Sequence, residues 1–265
     1  MKENKITLVI RIKGKYNDAC RCINSVLRQT VDSYNLSAIV YGEELAEKLR
    51  EAYENINFEV VSQNKEFKNF FNRIVSQANT KYCMIVNSDS ILAVNAVERI
   101  LKHDDDLVVF NIAKANGNDK FKTFYPASSY ENTAAFLQQN LCVWTVAYKT
   151  DFIVKNNIKL KGVGYENQAL FLLLCLSLSE KTAFCKDVFL YKWNIVKNQE
   201  ISDIFYYKNK ADIKRALNSF EVKGDNESKI QVVKVFLLAS IYESYSRPFL
   251  RKMKKMISLV RLIWF

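Results

Sequence analysis

The feature that most limits what this chain can fold into is an alternation of short apolar strands with amphipathic helices over residues 6–112. Runs rich in β-branched residues predict the strands, and stretches with apolar residues every three to four positions predict the helices between them. The predicted strands are residues 6–12, 36–41, 56–61, 82–86 and 107–112, and the predicted helices are one that Asp18 caps and residues 43–54, 66–78 and 94–102. This order predicts βαβ units and a mostly parallel α/β sheet flanked by helices.

The second half of the sequence follows a less regular pattern. Residues 121–125, 141–148, 182–185 and 188–193 are strand-like, and helical segments are predicted at residues 132–139 and 165–179. From about residue 208 onward the pattern is helical. We therefore expect an α/β domain over residues 1–200 and a helical C-terminal extension over residues 201–265.

The balance of charges points to an anionic partner. Lys and Arg total 39 against 28 Asp and Glu, which gives a formal net charge of +11. Nucleic acid, an acidic membrane surface and a phosphorylated substrate all fit such an excess, and a basic protein without any such partner is the alternative. Nucleic acid is not predicted, because the cations outside the tail are dispersed and the sequence contains no recognisable binding module.

The cysteines and the single histidine narrow the chemistry. The six cysteines lack zinc-ligand spacing and most lie in apolar runs, so we interpret them as buried reduced thiols and expect a cytoplasmic setting. One histidine, His103, excludes His-rich metal sites and makes a histidine-based triad improbable. The longest apolar run, residues 169–178, is shorter than the ~20 residues that a membrane-spanning helix needs.

The strand predicted at residues 82–86 runs directly into Asn87, Ser88 and Asp89. In an open α/β sheet, ligands bind at the carboxyl ends of the strands, so Asp89 is predicted to lie at the ligand-binding edge. A turn that caps the next helix is the alternative, since Asn, Ser and Asp favour turns. Neither G-x-G-x-x-G after the first strand nor G-x-x-x-x-G-K is present, which removes the main support for dinucleotide and P-loop sites.

Five segments in this order resemble the family-2 glycosyltransferases of the GT-A (Rossmann-like) fold, of the kind that builds bacterial surface polysaccharides. The resemblance covers roughly residues 5–195, and the order and spacing of the segments carry it rather than any one of them. The segments are C-I-N-S-V-L-R-Q-T at residues 22–30, F-N-R at 71–73, N-S-D at 87–89, a stretch from Trp144 through Glu166-Asn167, and V-F-L-Y-K-W at 188–193.

The resemblance implies an inverting transferase that moves a sugar from a nucleotide-sugar donor of the UDP type to a hydroxyl of a glycan or lipid-linked acceptor. It also implies Mg²⁺ or Mn²⁺ held at Asn87 and Asp89, where a hard cation bridges the donor diphosphate. By the same resemblance, Asn72 contributes to donor binding, and Trp144 and Tyr148 contact the acceptor.

The catalytic and nucleotide-binding positions depart from the family pattern. The resemblance places the catalytic base at Glu166 and Asn167, where the family carries two acidic residues, and an asparagine cannot accept a proton. Glu166 is therefore the candidate base. The family's uracil-binding segment is replaced by V-Y-G-E-E at residues 40–44, which leaves Glu43 as the candidate substitute.

The metal site also differs from the family pattern. Asn87 stands where the family has its first carboxylate, so the site has one negative charge fewer. Arg11 and Lys13 replace a proline and a tyrosine at the end of the first strand. We predict that both cations face the diphosphate and offset the weaker metal site; two solvated charges at a strand end are the alternative. Together these departures leave a second hypothesis open, a catalytically inactive homologue that acts as a scaffold or partner subunit.

The tail, residues 247–265, carries six cations and no acidic residue. Apolar side chains recur along it at steps of three and four and predict one helical stripe, Phe249, Met253, Met256, Val260 and Ile263. A basic amphipathic helix of this kind lies flat on an anionic bilayer. We therefore predict a peripheral association with the inner face of the cell membrane; packing of the stripe against the α/β domain is the alternative.

Overall fold

The structure is a computed structural model of the chain, and it describes residues 5–62, 66–116, 120–124, 143–162 and 165–192. The helix predicted at residues 132–139 and the whole C-terminal extension, including the basic tail, lie outside the described residues. None of the described helices is both long enough and apolar enough to cross a membrane.

The first half of the chain forms the parallel part of the sheet. Its elements are β1 (Ile6–Ile12), α1 (Tyr16–Leu27), β2 (Tyr34–Tyr41), α2 (Glu43–Ala52), β3 (Phe58–Val61), α3 (Glu66–Gln77) and β4 (Tyr82–Asn87). Strand β1 pairs in parallel with both β2 and β4, and β2 pairs in parallel with β3. The strand order β3-β2-β1-β4 is the one that successive βαβ units produce when the direction of winding reverses at β1.

The second half extends the same sheet with mixed pairing. Its elements are β5 (Ser90–Leu92), α4 (Ala96–Leu101), β6 (Leu107–Asn116), β7 (Lys120–Phe124), a 3₁₀ turn (Val143–Thr145), β8 (Val146–Lys149), α5 (Thr150–Lys155), α6 (Tyr165–Leu178) and β9 (Thr182–Lys192). Strand β8 joins β4 to β6 by antiparallel pairing, and β9 pairs in parallel with β6 and antiparallel with β5. The predicted α/β sheet with flanking helices is confirmed, with its parallel pairings concentrated in the first half.

Four local features differ from the predictions. Within the strand predicted at residues 141–148, Val143–Thr145 is a 3₁₀ turn and the strand β8 begins at Val146. Helix α1 begins at Tyr16 with Lys15 as its N-cap residue, so Asp18 lies in the first turn, where it pairs with Arg21. A carboxylate there interacts favourably with the positive end of the helix dipole without capping it. The strands predicted at residues 182–185 and 188–193 are one strand, β9, whose pairing with β6 shifts register near Asn111. Strand β5 was not predicted, because three residues are too few to show a period.

The sheet is covered on both faces, which explains why its strands are continuously apolar. Successive side chains of a strand point to opposite faces. In β1, Leu8 and Ile10 therefore pack in the layer that includes buried residues of α1, α2 and α4. Val9 packs in the opposite layer, with buried residues of α3, α5 and α6. Helix α6, which the sequence predicts to be buried, contributes Phe171 to that second layer.

Three of the five described cysteines are buried free thiols, as predicted, whereas Cys20 and Cys185 are partly exposed. Cys22, Cys83 and Cys175 are fully enclosed. Burial raises the pKa of the Cys83 thiol to about 12, so this group stays protonated at neutral pH. These side chains act as small apolar residues in the core.

Candidate active site

The carboxyl ends of β1 and β4 lie side by side at one edge of the sheet. Parallel pairing places Arg11 beside Asn87, the last residue of β4. The N–H of Ser88 donates to the carbonyl oxygen of Arg11 at 3.0 Å. Two strands that are far apart in sequence thus bring a cation and the predicted N-S-D segment to the same place.

Ser88 fixes that segment to the end of β1. Its side chain is buried, and its Oγ lies 3.0 Å from both backbone polar atoms of Lys13, accepting from the N–H and donating to the carbonyl. Ser88 and Asp89 form a turn between β4 and β5, whereas the N-cap residue of the next helix is Asn95. The predicted alternative, a turn that caps the next helix, is correct about the turn and wrong about the cap. The turn still places Asp89 at the edge of the sheet.

Arg11 is held between two aromatic rings. Its Cζ lies 5.1 Å from the ring centroid of Phe67 and 5.4 Å from that of Tyr41, and its Nε donates to the Tyr41 hydroxyl at 3.2 Å. Cation–π contacts of this kind favour the charged group and restrict its motion. Lys13 adds a second, more exposed cation, with Nζ 6.0 Å from the Tyr41 centroid. The alternative of a simple solvated charge is wrong for Arg11, which is half-buried in this cage.

A small cavity, with room for about one water molecule, lies beside this caged arginine. Its polar lining comes from Arg11, Asn87 and Gln168, and Trp144 forms part of its wall. The remaining lining is apolar and comes from Phe67, Ile85, Val143 and Leu160. The cavity is a candidate ligand site because of its place at the carboxyl ends of parallel strands and its convergent polar groups, not because of its size.

The structure places the two predicted acceptor residues differently. Trp144 is half-buried and reaches the cavity. Tyr148 has no exposed surface: its hydroxyl donates to the carbonyl of Val143 at 2.8 Å, and its ring meets Phe171 edge-on at 5.3 Å. The prediction that Tyr148 contacts the acceptor is therefore not supported, because a ring with 0% exposure has nothing to offer a ligand. Tyr148 instead stabilises the 3₁₀ turn that carries Trp144, through its hydrogen bond to Val143.

Asn72 acts on the cavity indirectly. Its Nδ2 donates to the Leu160 carbonyl and its Oδ1 accepts from the Leu160 N–H, both at 2.9 Å. This reciprocal pair ties α3 to the segment after α5 and holds Leu160 in place as a wall of the cavity. The structure therefore gives Asn72 a role within the protein, and its direct contact with the donor stays a prediction.

Glu43 is not among the residues that line the cavity. It is the first residue of α2, and its largely exposed side chain accepts a hydrogen bond from Arg50 at 2.7 Å. Tyr41, two residues earlier, instead reaches the site through its contact with Arg11. Sequence reasoning missed Tyr41, although its place at the carboxyl end of a predicted strand, just before Gly42, was a usable signal.

Asp89 lines a separate small hollow, which also has room for about one water molecule. Asp18 and Arg21 of α1 line the same hollow and form an ion pair with each other. Asp89 accepts a hydrogen bond from the Ser90 hydroxyl at 3.2 Å. Behind it, burial raises the pKa of the Cys22 thiol, and the charge of Asp89 adds to the effect, so this neighbour stays neutral. Two carboxylates and one guanidinium leave the hollow with a net negative charge.

This donor set fits only a cation that takes most of its ligands from elsewhere. The described part of the chain contains no group of three or more His, Cys, Asp or Glu residues that could enclose a metal ion. Mg²⁺ is commonly held by one or two carboxylates together with water and substrate phosphate oxygens, and Asp89 can supply such a carboxylate. Asn87 lines the neighbouring cavity rather than the hollow of Asp89, so the two predicted ligands do not converge in this structure.

The predicted catalytic position lies at the start of α6. Glu166 and Asn167 are the second and third residues of this helix, and the next residue, Gln168, lines the cavity beside Asn87. The backbone thus brings the first turn of α6 close to the carboxyl end of β4, and the catalytic role of Glu166 stays a prediction. Gln168 was missed by sequence reasoning, because a single glutamine in an apolar helix gives no recognisable pattern.

Comparison with solved structures finds the same fold in known glycosyltransferases. Residues 1–349 of S. aureus TarS, solved in complex with UDP-GlcNAc, match with a TM-score of 0.67 and 15% identity over 92% of this chain and 74% of that chain. The mannosyltransferase PcManGT from Pyrobaculum calidifontis, solved with GDP-Man and Mn²⁺, matches with a TM-score of 0.57 and 10% identity over 97% and 80%. The predicted GT-A fold is therefore confirmed.

Comparison with curated protein sequences finds no match. The sequence profile described as Glycosyl transferase family 2, in contrast, matches residues 7–154, which is more than half of the chain. The matched region includes Arg11, Asn87, Asp89 and Trp144 and ends before the first turn of α6. The protein is therefore a glycosyltransferase that belongs to family 2.

Proposed function

We propose that the protein moves a sugar from a UDP-type nucleotide-sugar to a hydroxyl of a glycan or lipid-linked acceptor, with inversion at the sugar. The observation that carries this proposal is the caged Arg11 beside Asn87, where the carboxyl ends of two parallel strands meet and line a small cavity. Family membership and the nucleotide-sugars bound by TarS and PcManGT support a nucleotide-sugar donor, and the UDP-GlcNAc bound by TarS supports the UDP type.

Arg11 and Lys13 are the proposed partners of the donor diphosphate. A guanidinium presents several N–H donors to phosphate oxygens, and the two rings around Arg11 hold it in position before the donor arrives. Little side-chain entropy then remains to be lost on binding. The two cations also compensate for the carboxylate that Asn87 replaces.

Asp89 is the proposed metal ligand, and Asn87, which lines the neighbouring cavity beside Arg11, is proposed to contact the donor. Mg²⁺ or Mn²⁺, when bound there, would neutralise the negative charge that develops on the departing diphosphate. The net negative charge of the residues around Asp89 is of the sign that attracts a cation.

Glu166 is the proposed general base, because Asn167 has no proton-accepting group at neutral pH. In the proposed step, the Glu166 carboxylate takes the proton of the acceptor hydroxyl while the hydroxyl oxygen bonds to the anomeric carbon. The bond between that carbon and the diphosphate oxygen breaks, and its electron pair leaves with the nucleoside diphosphate. Trp144, on the cavity wall, is the proposed contact for the acceptor sugar.

The net positive charge of the chain bears on the cellular setting of the reaction. We propose that the reaction serves surface-polysaccharide biosynthesis on the cytoplasmic side of the membrane. A lipid-linked acceptor is held in the bilayer, and a chain with a net charge of +11 and a basic segment at residues 247–265 is suited to an anionic membrane surface.

Titration calorimetry with UDP, with and without Mn²⁺, tests the donor site, and a panel of UDP-sugars with GDP-Man as a contrast tests turnover. We expect UDP to bind more tightly with Mn²⁺, and Asp89→Ala to remove about tenfold or more of that gain, because a charged ligand to the ion is lost. Asp151→Ala, which removes an exposed carboxylate on α5, is the matched control.

The opposite result is equally well defined. If no donor is turned over and Asp89→Ala binds UDP as tightly as the wild-type protein does, the transferase proposal fails. The inactive scaffold or partner subunit then becomes the better account of the fold.

A further inference from the structure

The motif C-I-N-S-V-L-R-Q-T contains two polar residues whose hydrogen bonds cross to a different part of the chain. Ser25 lies on the buried face of α1, and its Oγ accepts the N–H of Leu92, the last residue of β5, at 2.9 Å. The same hydroxyl donates to the carbonyl of Cys22 within α1 at 2.6 Å. Ser25 therefore joins α1 to the strand that follows Asp89.

Gln29 continues this connection one turn further on. Its Nε2 donates to the carbonyls of Ala93 at 2.8 Å and Ser25 at 3.0 Å, and its Oε1 accepts the N–H of Val97 at 3.0 Å. The side-chain amide thus bridges the loop after β5 and the first turn of α4. The backbone N–H of Thr30 adds a bond to the carbonyl of Val94 at 2.9 Å.

Asp89 lies between two fixed points. On its N-terminal side, Ser88 is bonded to the backbone of Lys13 at the end of β1. On its C-terminal side, Leu92 is bonded to Ser25. Only three residues separate Ser88 from Leu92, so the position of the Asp89 carboxylate depends on both anchors.

We propose that Ser25 and Gln29 are positioning residues that hold the Asp89 turn in its donor-binding geometry. The expected effect on donor binding rests on the proposed function. The anchoring of the turn rests only on the hydrogen bonds of Ser25 and Gln29. A metal–diphosphate complex is bound more weakly by a loop that must first be ordered, because the ordering entropy is subtracted from the binding free energy. A merely structural role predicts lower stability without this selective loss.

The test combines amide hydrogen exchange of residues 88–97 with titration of the full chain by UDP and Mn²⁺. Ser25→Ala removes the acceptor for the Leu92 N–H, and Gln29→Met keeps the side-chain length while removing its amide. Ser76→Ala is the matched serine control, since the Ser76 hydroxyl also bonds to the carbonyl three residues earlier but lies exposed on α3. Gln77→Met is the glutamine control at an exposed position.

We expect exchange in residues 88–97 to rise about tenfold in Ser25→Ala and Gln29→Met, since each lost hydrogen bond weakens the local structure a few-fold to tenfold. The Kd for UDP with Mn²⁺ should rise about tenfold in the same two variants, whereas binding without Mn²⁺ and both controls should stay within about twofold. If Gln29→Met does not fold, Gln29→Glu, which retains the acceptor for Val97, takes its place.

Two outcomes overturn the inference. Unchanged exchange in folded variants would show that the two side chains do not hold the segment. Increased exchange with an unchanged Kd for UDP and Mn²⁺ would reduce Ser25 and Gln29 to structural residues. Wild-type protein that binds no UDP contradicts the proposed function itself, and the exchange data then decide separately whether the two residues fix the turn.

Discussion

Arg11 is a charged residue in an otherwise apolar strand, and its surroundings explain how β1 accommodates it. The strand ends one residue later, and the faces of Tyr41 and Phe67 replace part of the hydration that the guanidinium loses. The aliphatic part of an arginine side chain can lie along an apolar surface while its head stays polar. The same position that makes Arg11 tolerable in the fold makes it available to a diphosphate.

Replacement of Arg11 by methionine tests this role, because methionine keeps the apolar bulk between the two rings and removes the charge. We expect the Kd for UDP to rise at least tenfold, which corresponds to a loss of about 1.5–3 kcal/mol for a hydrogen bond to a charged group. Isothermal titration measures the change, and Arg28→Met, at an exposed position after α1, is the control. Equal affinity in the two variants would exclude Arg11 from the donor site.

At the scale of elements, the site is assembled by links between segments that are distant in sequence. Asn72 of α3 holds Leu160 after α5, and Ser88 holds the end of β1. Each link satisfies backbone groups that would otherwise be buried without a partner, which is costly. The bonds of Asn72 therefore fix Leu160, one wall of the cavity, and those of Ser88 fix the ends of β1 and β4 to each other.

The two hydrogen bonds between Asn72 of α3 and Leu160 should contribute to the free energy of unfolding. Asn72→Ala removes the partners of both backbone groups of Leu160, and we expect a loss of about 2 kcal/mol in the free energy of unfolding. Chemical denaturation measures it, and Asn69→Ala, at an exposed position on the same helix, should change stability by less than about 0.5 kcal/mol. A stable Asn72→Ala variant with strongly reduced UDP affinity would instead indicate a direct donor contact.

At the scale of the whole molecule, the strand order brings the two halves of the chain to one edge. Strand β8 inserts antiparallel between β4 and β6, and its pairing with β4 places the 3₁₀ turn that carries Trp144 beside the end of β4. Helix α6 then returns with its first turn near the same cavity. Donor-side groups come from the parallel half, and the proposed acceptor and base groups come from the second half.

The basic tail, residues 247–265, is predicted to bind anionic membranes. Full-length protein should float with vesicles that contain anionic lipid, and a variant that ends at residue 246 should bind them far less, since each cation near such a surface adds about 1 kcal/mol. Raised salt should weaken the association. Equal flotation of the two proteins would favour the alternative, in which the apolar stripe packs against the rest of the chain.

Much of the fold could be predicted from local pattern, but the site only in part. β-branched runs and helical periods are properties of neighbouring residues, so β1 to β4 and their helices were found within a few residues of their true ends. Tyr148 and Asn72 were assigned to ligands because a sequence does not reveal which polar groups are used within the protein. The hydrogen bonds to Val143 and Leu160 that occupy them join segments by tertiary packing alone.

The sequence by itself determined that strands covered on both faces would alternate with helices, and that Asn87 and Asp89 would follow one of those strands. Burial of apolar side chains at fixed periods is enough for this, because it acts between near neighbours. Only the tertiary structure decided that Arg11 would lie between two aromatic rings and that Asn87 and Asp89 would line different hollows. It also decided that Ser25 would bond to Leu92 and Gln29 to Val97, both on the C-terminal side of Asp89. These outcomes depend on the register between strands and on hydrogen bonds across distant segments, which no local period encodes.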